Sequence, residues 1–273
     1  MTERPLSLVL VGAGKMGSAL LGGWFGQGID GTSITIVDPA PSEETQMAAR
    51  YKGVRLNPPI ADIAAPAVLF LAIKPQTLDD AAPQIAPLVG PQTLVLSILA
   101  GKTTANLKAR LPAASGIVRA MPNTPAAIRR GISAAYATPE VSAAQRATAD
   151  ELLSAVGRVE WLDDETHLDA VTAVSGSGPA YVFLLAECLA EAGAAAGLPP
   201  DLAARLARTT VEGSGELMHR SPEKAVSRLR EEVTSPGGTT AAALTILMGE
   251  SGLKKIMDAA VEAAKRRAAE LSG

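Results

Sequence analysis

A doubly wound α/β domain with a mainly parallel sheet, followed by an all-helical domain, is the architecture the sequence predicts. Three observations carry that prediction. Between Leu6 and Leu162 short apolar runs alternate with amphipathic stretches, the pattern of buried parallel strands joined by covering helices. After about Asp163 the strand signal stops and only helical spacing remains. The first apolar run passes directly into a glycine-rich turn, Gly12-Ala13-Gly14-Lys15-Met16-Gly17, that opens a helical stretch.

The predicted strands are Leu6–Val11, Ile34–Val37, Val68–Ala72, Thr93–Ile98, Ile117–Ala120, Ile132–Ala137 and Val159–Leu162. Between them Lys15–Gln27, Ser42–Arg50 and Ser142–Val156 have helical spacing. The later segments Asp164–Val174, Pro179–Ala196, Asp201–His219, Glu223–Glu231, Thr239–Met248 and Leu253–Leu271 all read as helices. Pro179 and Pro222 stand at first-turn positions, and Ser221 has the chemistry of an N-cap. The sequence therefore divides into a sheet domain over residues 1–162 and a helical domain over residues 163–273. The Ala/Leu-rich helices of the second are more apolar than solvent-facing helices need to be, which predicts a partner subunit.

Composition removes several function classes. The 25 Lys+Arg against 28 Asp+Glu leave a net charge of −3, with no basic field to gather phosphates, so no nucleic-acid partner is expected. Aromatic residues make up 3% of the chain, too few for a base-stacking platform, and 47% hydrophobic residues is far from a disordered composition. Cys188 is the single cysteine, which excludes an internal disulfide and a thiolate metal cage and fits a reducing, cytoplasmic compartment. It is expected to be a small core residue, and Trp24, Trp161 and the methionines are expected in the core. His167 and His219 have no metal-ligand spacing, so no metal is expected. The N-terminal apolar run ends in glycines too soon for a signal-peptide core, and the chain is expected to start here. The stretch from Gly178 to Leu198 carries Glu187 and Glu191, and a carboxylate in a spanning helix costs about 2.5–3.5 kcal/mol, so this is expected to be a buried helix and not a membrane span.

The chemistry-bearing motifs fall at the predicted strand ends and helix starts. In the strand–turn–helix context Gly12 permits the tight turn, Gly14 lets the backbone approach a pyrophosphate, and Gly17 allows the helix to sit close on the strand. Together with Ala13, Lys15 and Met16 they form a dinucleotide cradle. Asp38 ends the second strand, where a carboxylate accepts ribose hydroxyls and repels a 2′-phosphate. No Lys or Arg follows within Pro39–Glu44, which favours NADH over NADPH; helix capping or plain solvation is the competing reading of Asp38.

Leu71-Ala72-Ile73-Lys74 ends the Val68–Ala72 run on the crevice side of the sheet, where Lys74 is either a solvated charge or a ligand contact. Met121-Pro122-Asn123-Thr124-Pro125 lies at the same edge; its two prolines make either a stiff connection or a loop that holds a nicotinamide in register. Two segments, Ser175–Ala180 and Ser235-Pro236-Gly237-Gly238-Thr239-Thr240, put small hydroxyl residues before predicted helices, where open N–H groups and the helix dipole favour an anion, ordinary capping being the alternative. Lys265, Arg266 and Arg267 complement the dipole at the end of the last helix.

With these residues in view, the ordered segments GAGKMG, LAIKPQ, VRAMPNTPAAIRRG, SGSGPAYVFLLAE and LREEVTSPGGTTAAAL resemble the pyrroline-5-carboxylate reductase family over nearly the whole chain. The resemblance implies a Rossmann domain followed by a helical dimerisation domain. It also implies reduction of 1-pyrroline-5-carboxylate to proline with NADPH or NADH, and a homodimer that in this family often assembles into rings of dimers. It assigns the dinucleotide to Gly12, Gly14, Gly17 and the loop from Leu71 to Lys74, with Pro122 and Asn123 bordering the nicotinamide. It assigns the substrate to Ser235, Gly238, Thr239 and Thr240, and Ser177 lies in another of the matching segments. In that assignment Thr240 faces the ring nitrogen as the catalytic residue. The chain departs from the family at Asp38, where many members carry Ser, Asn or Arg, and in the spacing around Asn57-Pro58-Pro59-Ile60.

A protonated cyclic imine needs a hydride on carbon and no acidic side chain of high strength, which suits a chain whose two histidines have no assigned role. Two other classes share parts of the pattern. A related Rossmann reductase acting on another imine or a hydroxy acid would use a Lys or His of the helical domain, for which Lys254 and Lys255 are the candidates. A dinucleotide-binding regulator would keep the glycine turn without needing Ser235–Thr240.

Overall fold

The computed structural model describes residues 6–272. The sheet-forming half begins with β1 (Leu8–Val11), α1 (Lys15–Gly26), β2 (Ile34–Val37), α2 (Glu43–Lys52), β3 (Arg55–Leu56) and β4 (Val68–Leu71). It continues with α3 (Leu78–Ile85), β5 (Leu94–Ser97), α4 (Thr104–Arg110), β6 (Gly116–Met121), β7 (Gly131–Ala137), α5 (Ala143–Ser154) and β8 (Gly157–Leu162). The strands form one sheet in the order β3-β2-β1-β4-β5-β6-β7-β8. Every pairing is parallel except β6 with β7. The order reverses direction between β1 and β4, so a crevice opens beyond their carboxyl ends, at the aligned positions Val11, Val37 and Leu71.

Alternation along the strands divides the core between the two faces of the sheet. Leu8, Leu10, Ile34, Ile36 and Phe70 pack under α1 and α5, while Val9, Val11, Leu69 and Leu71 pack under α3 and α4. Trp24 closes the first layer: its ring meets Phe70 edge-on at 5.4 Å and its indole N–H donates to the Leu152 carbonyl at 2.9 Å. Helix starts are set by local chemistry: Ser42, Thr103 and Ser142 cap α2, α4 and α5, the last two in full capping boxes.

The later part comprises α6 (His167–Val171), a π-helical turn over Thr172–Gly176, α7 (Gly178–Ala195), α8 (Pro200–Arg220), α9 (Val226–Glu232), α10 (Thr239–Leu247) and α11 (Leu253–Ser272). Of the described residues, those up to Gly176 and those from Lys265 onward make one compact unit, and Ser177–Ala264 make the other. That division lies beyond the expected 162/163 boundary because α6 packs on β6 and β7, and because the Leu271 carbonyl of α11 packs against Gly101.

Several expectations change. The strand Arg55–Leu56 is absent from the sequence reading, being too short to show alternation. Ser221 caps no helix start: its N–H bonds back to Met218, its carbonyl accepts from Lys224, and α9 begins only at Val226. Trp161 is half-buried at the rim, bonded to Asp150 and covered by Arg146, while Met47, Met218 and Met248 are exposed. In α7 no residue is buried within the single chain; Phe183 is 64% exposed and Cys188 is exposed too, so neither the buried helix nor the core cysteine holds for one subunit alone. Helix α8 covers only part of α7, through Ala203 against Gly193.

Candidate active site

The glycine turn joins β1 to α1, and its three glycines meet three different demands. Gly12 has φ +89°, and a Cβ there would lie 2.9 Å from the Ala72 backbone. At Gly17 a Cβ would collide with the Gly12 carbonyl, so helix and turn approach only without a side chain. Gly14 faces open space. Gly14 is also the N-cap of α1 and offers no side-chain acceptor, and the first turn carries no acidic residue, so the orphan N–H groups of Lys15, Met16 and Gly17 have no side-chain cap. Lys15 is exposed and Met16 half-buried at this end.

Asp38 follows β2 and is buried, 9% exposed. One carboxylate oxygen accepts the N–H of Ala13 at 2.6 Å, the other that of Ala40 at 2.7 Å. Its own backbone is held by Asn57, whose side chain accepts from the Asp38 N–H at 2.8 Å and donates to its carbonyl at 2.7 Å. Both bland readings of Asp38 are overturned: Ser42 caps α2, and the carboxylate is not solvated but braces the glycine turn against the loop after β2. A carboxylate has about four acceptor sites, so this bracing leaves lone pairs for a further donor.

Two loops flank the crevice after β4 and β5. Past β4 the Ala72 N–H still pairs with the Val11 carbonyl at 2.8 Å, Ala72 and Ile73 are half-buried, and Lys74 is exposed at the start of a 3₁₀ turn. Past β5 the Ile98 N–H pairs with the Leu71 carbonyl at 3.0 Å and carries Ile98–Gly101 along the same edge. The sequence reading did not single out this second loop; its signal is Ala100-Gly101 directly after a strand.

After β6, Pro122 is buried and Asn123 half-buried. The Asn123 side chain accepts from the Ile132 N–H at 3.0 Å and donates to the Ser175 carbonyl at 3.2 Å, so its polar groups serve the backbone. Beneath this loop Arg119, buried on β6, donates to Glu165 at 3.0 Å, and Glu165 also accepts from the Thr104 N–H at 2.8 Å and hydroxyl at 2.6 Å. Sequence reasoning missed this network, whose members are separated by 46 and 61 positions.

In the helical unit α10 starts at Gly238, again with no side-chain cap and no acid in its first turn. Its N–H donates to the Ser235 carbonyl at 3.0 Å, and a Cβ on Gly238 would strike the Ser235 hydroxyl, so Gly238 acts here as space and not as a donor. Thr239 and Ser235 are exposed and Thr240 half-buried. The matching expectation at Ser177 changes. The π-helical turn carries the helical path out of α6, and Ser177 itself has helical φ and ψ of −85° and −24°. No free helix N-terminus exists there; Pro179 and the Ser/Gly run imitate one in sequence. Among the described residues no cluster of three or more His, Cys, Asp or Glu side chains could hold a metal. Lys254 is paired with Asp258 at 2.6 Å on an exposed helix face.

A glycine turn at the switch point of a parallel sheet, an acidic brace after β2 and a C-terminal helical unit define an NAD(P)H-dependent oxidoreductase of Rossmann type with a dimerisation domain. Residues 7–101 match the family model for NADP oxidoreductase, coenzyme F420-dependent, and residues 165–271 the model for pyrroline-5-carboxylate reductase dimerisation. The chain is 41% identical to the pyrroline-5-carboxylate reductase of Pseudomonas aeruginosa, over 97% of this chain and 96% of that one, and 35% identical to that of Haemophilus influenzae over 97% of each. The solved structure of a pyrroline-5-carboxylate reductase from Coxiella burnetii superposes with a TM-score of 0.90 at 32% identity, covering 99% of this chain and 100% of that one. That of the Plasmodium falciparum pyrroline carboxylate reductase with NADP bound gives 0.80 at 28% identity, covering 98% of each. The chain belongs to the pyrroline-5-carboxylate reductase family.

Proposed function

We propose that this protein reduces 1-pyrroline-5-carboxylate to proline, holding the substrate carboxylate at the start of α10 and the dinucleotide pyrophosphate at the start of α1. The observation that carries the reading is that both helices open on glycine, with neither a side-chain cap nor an acidic residue in the first turn to compete for their N–H groups. An anion at either end finds free N–H donors and the positive end of a helix dipole.

The cofactor supplies a hydride from the nicotinamide to the imine carbon. The chain's own residues bind and orient. The N–H groups of Thr239 and Thr240 meet the carboxylate, with the Ser235 hydroxyl beside it, and Ser177 contributes its hydroxyl. The protonated ring nitrogen donates to the Thr240 hydroxyl oxygen; it already carries the proton the product amine needs, so catalysis is positioning and not strong acid chemistry. Ala13–Gly17, Leu71–Lys74 and the loop from Pro122 border the dinucleotide, and Asp38 stands where a ribose hydroxyl can donate to it. With no basic residue in Pro39–Glu44 to receive a 2′-phosphate, we infer that NADH is the preferred cofactor.

The exposed apolar face of α7 is covered by a second copy of the chain. The segment His167–Ala195 is long and apolar enough to cross a membrane, but it carries Glu187 and Glu191 and lies within the region similar to the dimerisation family. The single cysteine fits a reducing cytoplasm.

Thr240→Val keeps shape and removes the hydroxyl. The expected result is a fall of roughly ten- to a thousandfold in kcat and kcat/KM together, with cofactor affinity unchanged. Near-normal kcat/KM with a lowered melting temperature would reduce the SPGGTT segment to a helix start and nothing more.

A further inference from the structure

The Met121–Pro125 loop is hydrogen-bonded to the π-helical turn and lies against it. Asn123 donates to the Ser175 carbonyl at 3.2 Å, and Gly176 lies so close to Met121 that a Cβ there would be 3.0 Å from the Met121 methyl carbon. The other end of Asn123 accepts from the Ile132 N–H at 3.0 Å, which ties the same loop to the start of β7. The π turn is held from within as well: the Thr172 hydroxyl donates to the Leu168 carbonyl at 2.8 Å and the Ser175 hydroxyl to the Val171 carbonyl at 3.0 Å. A π turn is less stable than the α-helix it interrupts and survives where something holds it, frequently at functional sites. Here the turn sets the backbone that leads directly into Ser177.

We propose that Asn123 is a positioning residue and not a cofactor contact. By bonding Ser175 and Ile132 at once, it fixes the loop that borders the nicotinamide and the turn that leads to Ser177 as one rigid piece. Its amide gives one donor to Ser175 and one acceptor to Ile132, and those two bonds fix its orientation toward the backbone. The proposal rests on the reading of the loop and of Ser177 given above.

The test uses the whole enzyme and the variants Asn123→Ala and Asn123→Asp. Asn123→Asp keeps the acceptor for Ile132 but sets a carboxylate against the Ser175 carbonyl, so both variants lose the same bond. NADH affinity is read by nicotinamide fluorescence. Turnover is read with NADH deuterated at the transferring position, and backbone amide exchange is followed over residues 172–178. The expected result is cofactor affinity within about twofold of the parent, kcat lowered about 10- to 100-fold with a larger isotope effect, and faster exchange in the π turn.

A cofactor affinity lowered tenfold or more with kcat preserved at saturation would overturn the proposal, since Asn123 would then touch the dinucleotide. Normal kcat and isotope effect despite faster exchange would overturn it equally. If Asn123→Ala does not fold, Asn123→Asp, which keeps the Ile132 bond, carries the test alone and must give the same kinetic signature. Ser177→Ala, measured in parallel, keeps the two readings apart: an unchanged substrate KM there removes Ser177 from the site, whereas the Asn123 signature stands or falls on its own isotope effect.

Discussion

Asp38→Ser is the perturbation that separates the brace the structure shows from the cofactor selection proposed for the same carboxylate. As a charge, Asp38 would oppose the extra phosphate of NADPH. If that phosphate comes within about 5 Å of the carboxylate, an effective dielectric of about 20 gives about 3 kcal/mol per pair of unit charges, roughly two orders of magnitude in favour of NADH. As an acceptor, it satisfies the N–H groups of Ala13 and Ala40 at 2.6 and 2.7 Å. A serine hydroxyl has one oxygen on a shorter arm and cannot reach both, and each buried N–H left without a partner costs about 1–3 kcal/mol. Because Ala13 lies inside the glycine turn, that cost falls on the dinucleotide cradle itself. The lost bracing therefore acts on NADH and NADPH alike, and the informative quantity is a ratio. Steady-state kcat/KM for NADPH divided by that for NADH should rise about 100-fold, while kcat/KM for NADH falls about tenfold. Adding Pro39→Arg should raise the ratio further by supplying a guanidinium for the phosphate. An unchanged ratio in Asp38→Ser, or a parent enzyme that already uses NADPH tenfold better than NADH, would refute the electrostatic role and leave only the brace.

Two further outcomes test the frame around the site. Glu165→Ala leaves the Arg119 side chain, 6% exposed, without its counter-charge and the Thr104 N–H and hydroxyl without their acceptor; breaking a buried pair in this way costs about 3–5 kcal/mol, visible as a clearly lowered first transition in thermal unfolding. A melting curve superimposable on the parent's would show that solvent replaces the network. Leu184→Asp puts a charge on the exposed face of α7, where Leu184 is 56% exposed in the single chain, and should convert the assembly toward monomer in light scattering. A parent protein that is active as a 27.9 kDa monomer at micromolar concentration would contradict the covered face.

The sheet was legible because its signals are local. Four-residue strands buried on both faces must be continuous apolar runs, and Leu8–Val11, Val68–Leu71 and Leu94–Ser97 are nearly that. The glycine turn was legible for the same reason: its demands on Gly12 and Gly17 are steric and lie within a few residues of each other. What escaped the sequence was long-range. Nothing near Arg119 announces Glu165, and nothing near Asn123 announces Ser175, 52 positions away. Ser175–Ala180 misled because a Ser/Gly run followed by Pro has the same composition whether it caps a new helix or follows a π turn.

The reading of α7 as a buried helix does not hold within one chain for a different reason, and that bears on function. A helix apolar on nearly all sides must be buried, but composition does not say by what. In one chain α8 covers a single side of α7, and large side chains such as Phe183 and Leu185 stay exposed. A surface of this kind is incompatible with a lasting monomer, so the helical unit takes its final packing only when a second copy arrives. The uncapped start of α10 belongs to that same unit. A capping Ser or Asp there would bring a Cβ onto the Ser235 hydroxyl, and an Asp would also set a carboxylate against the carboxylate of the proposed substrate. On the proposed function, glycine at position 238 therefore leaves room for the Ser235 hydroxyl and keeps the N–H groups of α10 open for the anion, while a second copy, and not a cap, stabilises the helices around it.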